Sequence, residues 1–252
     1  MLKISVCGAA GRMGRMIIER VVSDGETELA GAVEAKGSPA VGQRAGNAVI
    51  TDDCGAAVKI SDVVIDFTSP QATLQHLESC MKEKKGIVIG TTGLSEKDIE
   101  KIKDAAKAIP VVFAPNMSVG VNLLFKLVSE IAAAVPNYDV EIVEAHHNQK
   151  KDAPSGTALK IADIISKELG LPQVYGRHGI TGPRKKEIGI HAVRAGDIVG
   201  EHTVIFAGPG ERIELIHRAH SRDNFAVGAV MAAKWLAGKK PGLYSMKDVL
   251  GL

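Results

Sequence analysis

Leu2-Lys3-Ile4-Ser5-Val6-Cys7-Gly8-Ala9-Ala10-Gly11-Arg12-Met13-Gly14 decides the fold. Residues 2–7 read as a short buried strand. Met13, Met16, Ile17, Arg20 and Val21 then recur at a spacing near 3.6, so a helix is predicted at once. Glycines at such a strand-to-helix turn are the context a dinucleotide fingerprint requires. Gly8 permits the tight turn, Gly11 lets the backbone approach a pyrophosphate at the helix N-terminus, and Gly14 lets helix and strand pack closely. A Cβ at Gly11 is expected to weaken binding most.

The next strand, 28–33, runs into Glu34, about twenty residues past the last glycine, where an acid is expected to hydrogen-bond an adenosine ribose. Lys36 suits the 2′-phosphate of NADPH, or is a solvated loop cation. NADH, NADPH or both are therefore the expected cofactors. Short apolar strands at 63–67, 87–89 and 111–113 alternate with helical stretches at 71–84 and 96–108. This βα repetition predicts a Rossmann-like parallel sheet covered on both faces, with ligands at the strand C-terminal ends. Those ends carry Asp66-Phe67-Thr68, Gly90-Thr91-Thr92-Gly93 and Ala114-Pro115-Asn116-Met117, small and polar groups suited to a nicotinamide half.

At 252 residues with net charge +2, the chain can bury a real core and carries no basic run that would mark a nucleic-acid or membrane surface. Cys7, Cys54 and Cys80 are widely spaced and odd in number, without metal-ligand spacing. No signal-peptide pattern opens the chain and no apolar run has the length of a membrane span, so a cytoplasmic protein is expected.

Beyond Met117 the texture changes. A helical stretch at 119–135 leads to a strand at 138–145 and then to Glu144-Ala-His-His-Asn-Gln-Lys-Lys-Asp-Ala-Pro-Ser-Gly-Thr157. A helix at 157–169 follows, then strands at 186–194, 202–207 and 212–217. Ala195-Gly196-Asp197 and Gly208-Pro209-Gly210 between them read as hairpin turns. This predicts a second, α+β domain with a mixed, partly exposed sheet. A last helix at 225–236 returns to the first domain, so 1–117 plus 218–252 and 118–217 are the expected domains. A cleft between them that closes by a hinge is the expected site.

The loop at 146–157 collects a histidine able to exchange a proton near neutral pH, cations, and N–H and hydroxyl groups at a helix start, which suits chemistry on a small anion. His146 is the candidate acid–base group and Lys150 a second acid or a carboxylate partner, while Ser155, Gly156 and Thr157 are candidate substrate contacts. His146, His147 and Asp152 make a poor metal set, because adjacent strand residues face opposite ways, and no metal is expected. Arg222 either helps close the cleft or is a surface capping charge, and it is read as the second.

With these residues assembled, the chain resembles the 4-hydroxy-tetrahydrodipicolinate (dihydrodipicolinate) reductase family over nearly its whole length. The segments that carry the resemblance are 6–14, 66–68, 90–93, 116–122, and above all 144–147 with 150–158. The resemblance implies reduction of a cyclic imine dicarboxylate in diaminopimelate and lysine synthesis. It implies proton transfer by His146 and Lys150, substrate binding by His147, Gly156 and Thr157, and cofactor contacts from Gly8, Ala9, Ala10, Gly11, Arg12, Met13, Glu34, Gly90, Thr91, Thr92, Ala114, Pro115, Asn116 and Met117. It further implies a homotetramer built through the second domain's sheet. Some members carry an arginine directly after the acid that ends the second strand. Here Ala35 stands there, leaving Lys36 as its substitute. Two other readings share the first domain, another nicotinamide oxidoreductase of the homoserine or semialdehyde dehydrogenase kind and an NADH-sensing protein without catalysis. Neither requires the loop at 146–157.

Overall fold

Strands whose residues are apolar on both sides cannot leave either side wet, and the first sheet shows the consequence. The computed structural model describes residues 1–252. β1 (Leu2–Cys7), α1 (Arg12–Ser23), β2 (Thr27–Val33), β3 (Arg44–Ala45), β4 (Ala48–Thr51), α2 (Cys54–Lys59), β5 (Val63–Asp66), α3 (Pro70–Glu83), β6 (Gly86–Ile89), α4 (Glu96–Ala105) and β7 (Pro110–Phe113) follow in order. The chain then builds α5 (Val119–Ala134), β8 (Asp139–His146), α6 (Gly156–Leu169), β9 (Gln173–Tyr175), β10 (Ile188–Arg194), β11 (Gly200–Gly208) and β12 (Glu211–Ala219). It ends with α7 (Asp223–Leu236), β13 (Gly242–Tyr244) and α8 (Met246–Leu250). Two units result, Met1–Val119 with Asp223–Leu252, and Gly120–Arg222, each boundary slightly later than the expected 117 and 218. The second shift follows from β12, which continues to Ala219 before the chain leaves the sheet.

The first unit holds an eight-stranded sheet in the order β13-β7-β6-β5-β1-β2-β4-β3, parallel except for the β3–β4 pair. Alternate residues of each strand feed two separate cores. Ile4, Val6, Ile65, Val88 and Val112 pack with α1 and α7, whereas Cys7, Val64, Ile87, Ile89 and Val111 pack with α2, α3 and α4. The period-2 alternation of strand side chains divides them. Gly228 brings α7 close, since a Cβ there would lie 1.8 Å from the Met117 carbonyl oxygen.

The second unit holds a five-stranded mixed sheet in the order β12-β11-β8-β10-β9. Val140, Ile142, Ile188, Ile190, Val204 and Phe206 form one face, buried against Leu124 and Val128 of α5 and Ile161 and Ile165 of α6. The opposite face is more open, and Val193 and Ile216 on it are 44% and 47% exposed. The turn at Gly208-Pro209-Gly210 joins β11 to β12 as expected, with Gly208 opposite Glu211 and Gly210 at φ +83°. The other hairpin does not form. β10 pairs with β8 in parallel and β11 pairs with the opposite edge of β8, so β8 lies between them. Ala195-Gly196-Asp197 instead crosses the end of β8, where Ala195 N–H donates to the His146 carbonyl at 3.0 Å and Asn148 N–H to that of Gly196 at 3.1 Å. Local turn chemistry reverses the chain without choosing the strand it meets. The short elements α2, β3, β4, β9, β13 and α8 went unread because too few residues form each to establish a period.

Candidate active site

The glycine-rich turn in the first unit behaves as its residue types require. Gly8 sits at φ +80°, and a Cβ there would fall 2.7 Å from the Phe67 carbonyl oxygen. At Gly14 a Cβ would lie 1.9 Å from the Gly8 oxygen, so Gly14 belongs to packing. Gly11 is exposed, and a Cβ there meets only the Gly8 oxygen, at 3.1 Å. Beside this turn opens a cavity of about 490 Å³ lined by Gly8, Gly11, Glu34, Lys36, Thr68 and His76 among others. Glu34 accepts the Ala10 N–H at 2.8 Å through Oε2 and the Ala35 N–H at 3.2 Å through Oε1. A carboxylate retains lone pairs beyond these for ribose hydroxyls. Cavity, glycine turn and acid together fit a dinucleotide.

The other strand ends divide. Thr91 is 3% exposed, and its hydroxyl donates to Asp66 Oδ1 at 2.9 Å and accepts the Thr68 N–H at 3.0 Å. Met117 is 1% exposed and belongs to the core. Both were expected to meet cofactor, but their side chains are committed inward, leaving only their backbone for that role. Gly90 is a packing glycine, since its Cβ would lie 2.2 Å from the Phe67 ring. Thr92 and Pro115 are exposed, and Asn116 folds its Oδ1 onto the Ser118 N–H at 2.9 Å.

In the second unit a buried carboxylate organises the loop at 146–157. Glu144, fully buried in β8, accepts from His146 Nδ1 at 2.6 Å, from Ser155 N–H at 3.0 Å, and from the Arg194 fork at 2.7 and 2.8 Å. Burial alone would raise its pKa, but Arg194, His146 and the Ser155 N–H together hold it below the usual carboxylate range. A carboxylate only accepts, so His146 carries a proton on Nδ1, which leaves Nε2 as the acceptor nitrogen. Gly200 faces that nitrogen, and a Cβ there would lie 3.0 Å away. Burial lowers the His146 pKa, and the charges of Lys150 and Arg194 lower it further against the pull of Glu144. Lys150 Nζ donates to Asp152 Oδ1 at 2.8 Å and thereby holds the Asp152 carboxyl low.

Ser155, expected to offer its hydroxyl to a ligand, is 2% exposed. Its Oγ accepts the Ala158 N–H at 3.2 Å as the N-cap of α6 and lies 3.0 Å from His202 Nε2. In this structure its hydroxyl supports the turn. Gly156 and Thr157, the first residues of α6, lie nearer the surface, and a Cβ on Gly156 would meet nothing within 4 Å. His147 lines a cavity of about 360 Å³ with Asn148, Gly196 and Arg222.

Family models described as dihydrodipicolinate reductase, N-terminus and C-terminus, match residues 2–117 and 120–250. The chain belongs to the dihydrodipicolinate reductase family. It is 52% identical to the 4-hydroxy-tetrahydrodipicolinate reductase of Geotalea daltonii and 53% identical to that of Trichlorobacter lovleyi, each covering 100% of both chains. A dipicolinate-bound dihydrodipicolinate reductase from Paenisporosarcina sp. TG-14 superposes with a TM-score of 0.83 at 28% identity, covering 98% of this chain and 99% of its own. Membership makes the chain an NAD(P)H-dependent oxidoreductase. No helix is long and apolar enough to cross a membrane.

Within this reductase fold, one pairing escaped the sequence reading. Glu144 and Arg194 were invisible as partners because fifty positions separate them, and parallel β8–β10 pairing sets Arg194 beside His146. A usable signal existed in the Glu-x-His spacing, which puts both side chains on one strand face. Arg222, read as capping charge, lines the second cavity together with His147.

Proposed function

We propose that this chain reduces 4-hydroxy-tetrahydrodipicolinate, a small cyclic imine dicarboxylate, to tetrahydrodipicolinate in diaminopimelate and lysine synthesis. The observation that carries the reading is His146 paired with buried Glu144 beside the Lys150 cation, in a chain matched end to end by relatives named for this reaction. NADH or NADPH, when bound, supplies hydride to the conjugated ring formed as water leaves. Gly8, Gly11 and the start of α1 hold the pyrophosphate, Glu34 the ribose, and Lys36 a 2′-phosphate where one is present. Lys150 and the N–H groups of Gly156 and Thr157 neutralise the substrate carboxylates. His146 takes up and delivers the proton through Nε2, with Lys150 as the second acid, and Glu144 keeps the imidazole in one tautomer throughout. This reading gives no role to a metal.

The three free thiols suit a reducing compartment, which supports a cytoplasmic setting. The open sheet face with Val193 and Ile216 supports a homotetramer, checked by light scattering. The deciding experiment follows NADH and NADPH oxidation with substrate generated from aspartate semialdehyde and pyruvate. Rapid turnover is expected, falling roughly a hundredfold in His146→Gln with cofactor affinity retained. Cofactor binding without substrate-dependent turnover would overturn the assignment.

A further inference from the structure

Cys7, Cys54 and His76 are far apart in sequence and belong to β1, α2 and α3, yet their ligating atoms all lie within 4.8 Å of one another. The parallel β1–β5 pairing and the packing of α2 against α3 bring them there. Cys7 is fully buried, whereas Cys54 and His76 line the cavity that also holds Gly8, Gly11, Glu34 and Lys36. None of the three has a part in the reduction described above.

We propose that Cys7, Cys54 and His76 form a three-ligand site for a soft divalent cation of the zinc class, set in the wall of the dinucleotide cavity. Two sulfurs and an imidazole are the donor set such an ion selects. Tetrahedral zinc with its usual bond lengths requires donors about 3.6–3.8 Å apart, so the widest pair closes by about 1 Å, a side-chain rotation. The support around the histidine is already built. His76 Nδ1 lies 2.5 Å from Asp66 Oδ2, which leaves Nε2 for the ion, and Asp66 is itself held by Thr68 at 2.7 Å and by Thr73 and Thr91 at 2.9 Å. A carboxylate behind a ligating histidine orients the ring and raises its basicity. Cys80 is buried nearby and is not among the three donors.

With Cys7 behind and the other two ligands on the cavity wall, the fourth position of the ion opens into the cavity. Ion and dinucleotide then meet in one space and oppose each other. The ion site stands without the cofactor assignment, while the opposition rests on it.

The test uses the full chain, stripped of metal and kept reduced, titrated with Co²⁺ alone. One equivalent is expected to give a sulfur-to-cobalt charge-transfer band that Zn²⁺ abolishes. Cys54→Ser and His76→Asn should each weaken the site at least about a hundredfold, beyond what loss of a supporting hydrogen bond costs. Cys80→Ser should leave the band unchanged. Absence of a thiolate band in the unsubstituted protein, or a band that survives Cys54→Ser, would overturn the site whatever the other variants do. Because Cys54 is partly exposed, its serine variant is expected to fold, and its thermal midpoint checks this. One equivalent of Zn²⁺ should raise the Kd for NADH at least about tenfold in the unsubstituted protein. An unchanged Kd with the band intact would refute the opposition alone. Failure of the metal-free protein to bind NADH would instead strike the cofactor assignment.

Discussion

Replacing Glu144 with glutamine separates charge from shape at the centre of the second unit. The carboxylate receives four donors, namely both Arg194 Nη groups, His146 Nδ1 and the Ser155 N–H. Glutamine presents one acceptor oxygen and an NH₂ group, so some of these donors then face another donor. Breaking a buried charged pair costs about 3–5 kcal/mol. The lower end applies, because the Arg194 side chain keeps 19% exposure and can recover water. About 3 kcal/mol corresponds to a fall of roughly 10 °C in Tm for a chain of this size. The functional effect is separate. Opposite an amide NH₂, His146 turns Nδ1 into an acceptor and moves its proton to Nε2, the nitrogen that must be free to take one up. Part of the general acid–base contribution is then lost, so kcat should fall by about tenfold to a hundredfold, no further than in His146→Gln, with KM little changed. Steady-state loss of nicotinamide absorbance across a pH series measures this, and thermal melts measure the stability. A folded Glu144→Gln enzyme with kcat within about threefold of the parent and an unaltered pH profile would refute the tautomer argument.

Lys36→Ala should weaken NADPH binding about fivefold to tenfold and leave NADH nearly unchanged, as loss of a charge-assisted phosphate contact requires; equal effects in fluorescence titrations would remove the contact. Gly14→Ala should destabilise the first unit by about 3 kcal/mol through overpacking against Gly8. Gly156→Ala, with open space at its Cβ, should leave Tm unchanged and raise only the KM for substrate; a melt that ranks them the other way would contradict both. Burial drives the His202 pKa down to about 4, against about 6.5 in the unfolded chain. The unfolded chain therefore binds the extra proton first as pH falls below 6.5, and stability is lost progressively down to about pH 4, by about 3 kcal/mol in all. His202→Gln should flatten that decline in urea melts, and an unchanged slope would show that His202 does not titrate this way.

The sequence by itself determined the elements whose side chains repeat at a regular interval and the turns whose conformation only glycine tolerates. β1 through the start of α1, the long helices and the turn at Pro209-Gly210 were legible because each depends on neighbours a few residues away. The loop at 146–157 was legible because its composition suits little besides chemistry on an anion. Only the tertiary structure decided which distant side chains meet. Placing β8 between β10 and β11 cancelled the hairpin expected at 195–197 and set Arg194 against Glu144. The capping turn of α6 engaged the Ser155 hydroxyl with Ala158 and His202, and the Asp66 network engaged that of Thr91. Packing α2 and α3 on the end of β1 gathered Cys7, Cys54 and His76, although their spacing along the chain shows no metal pattern. Periodicity records which way a side chain faces. Its partner follows from strand order and register, which depend on long-range packing and leave no local mark.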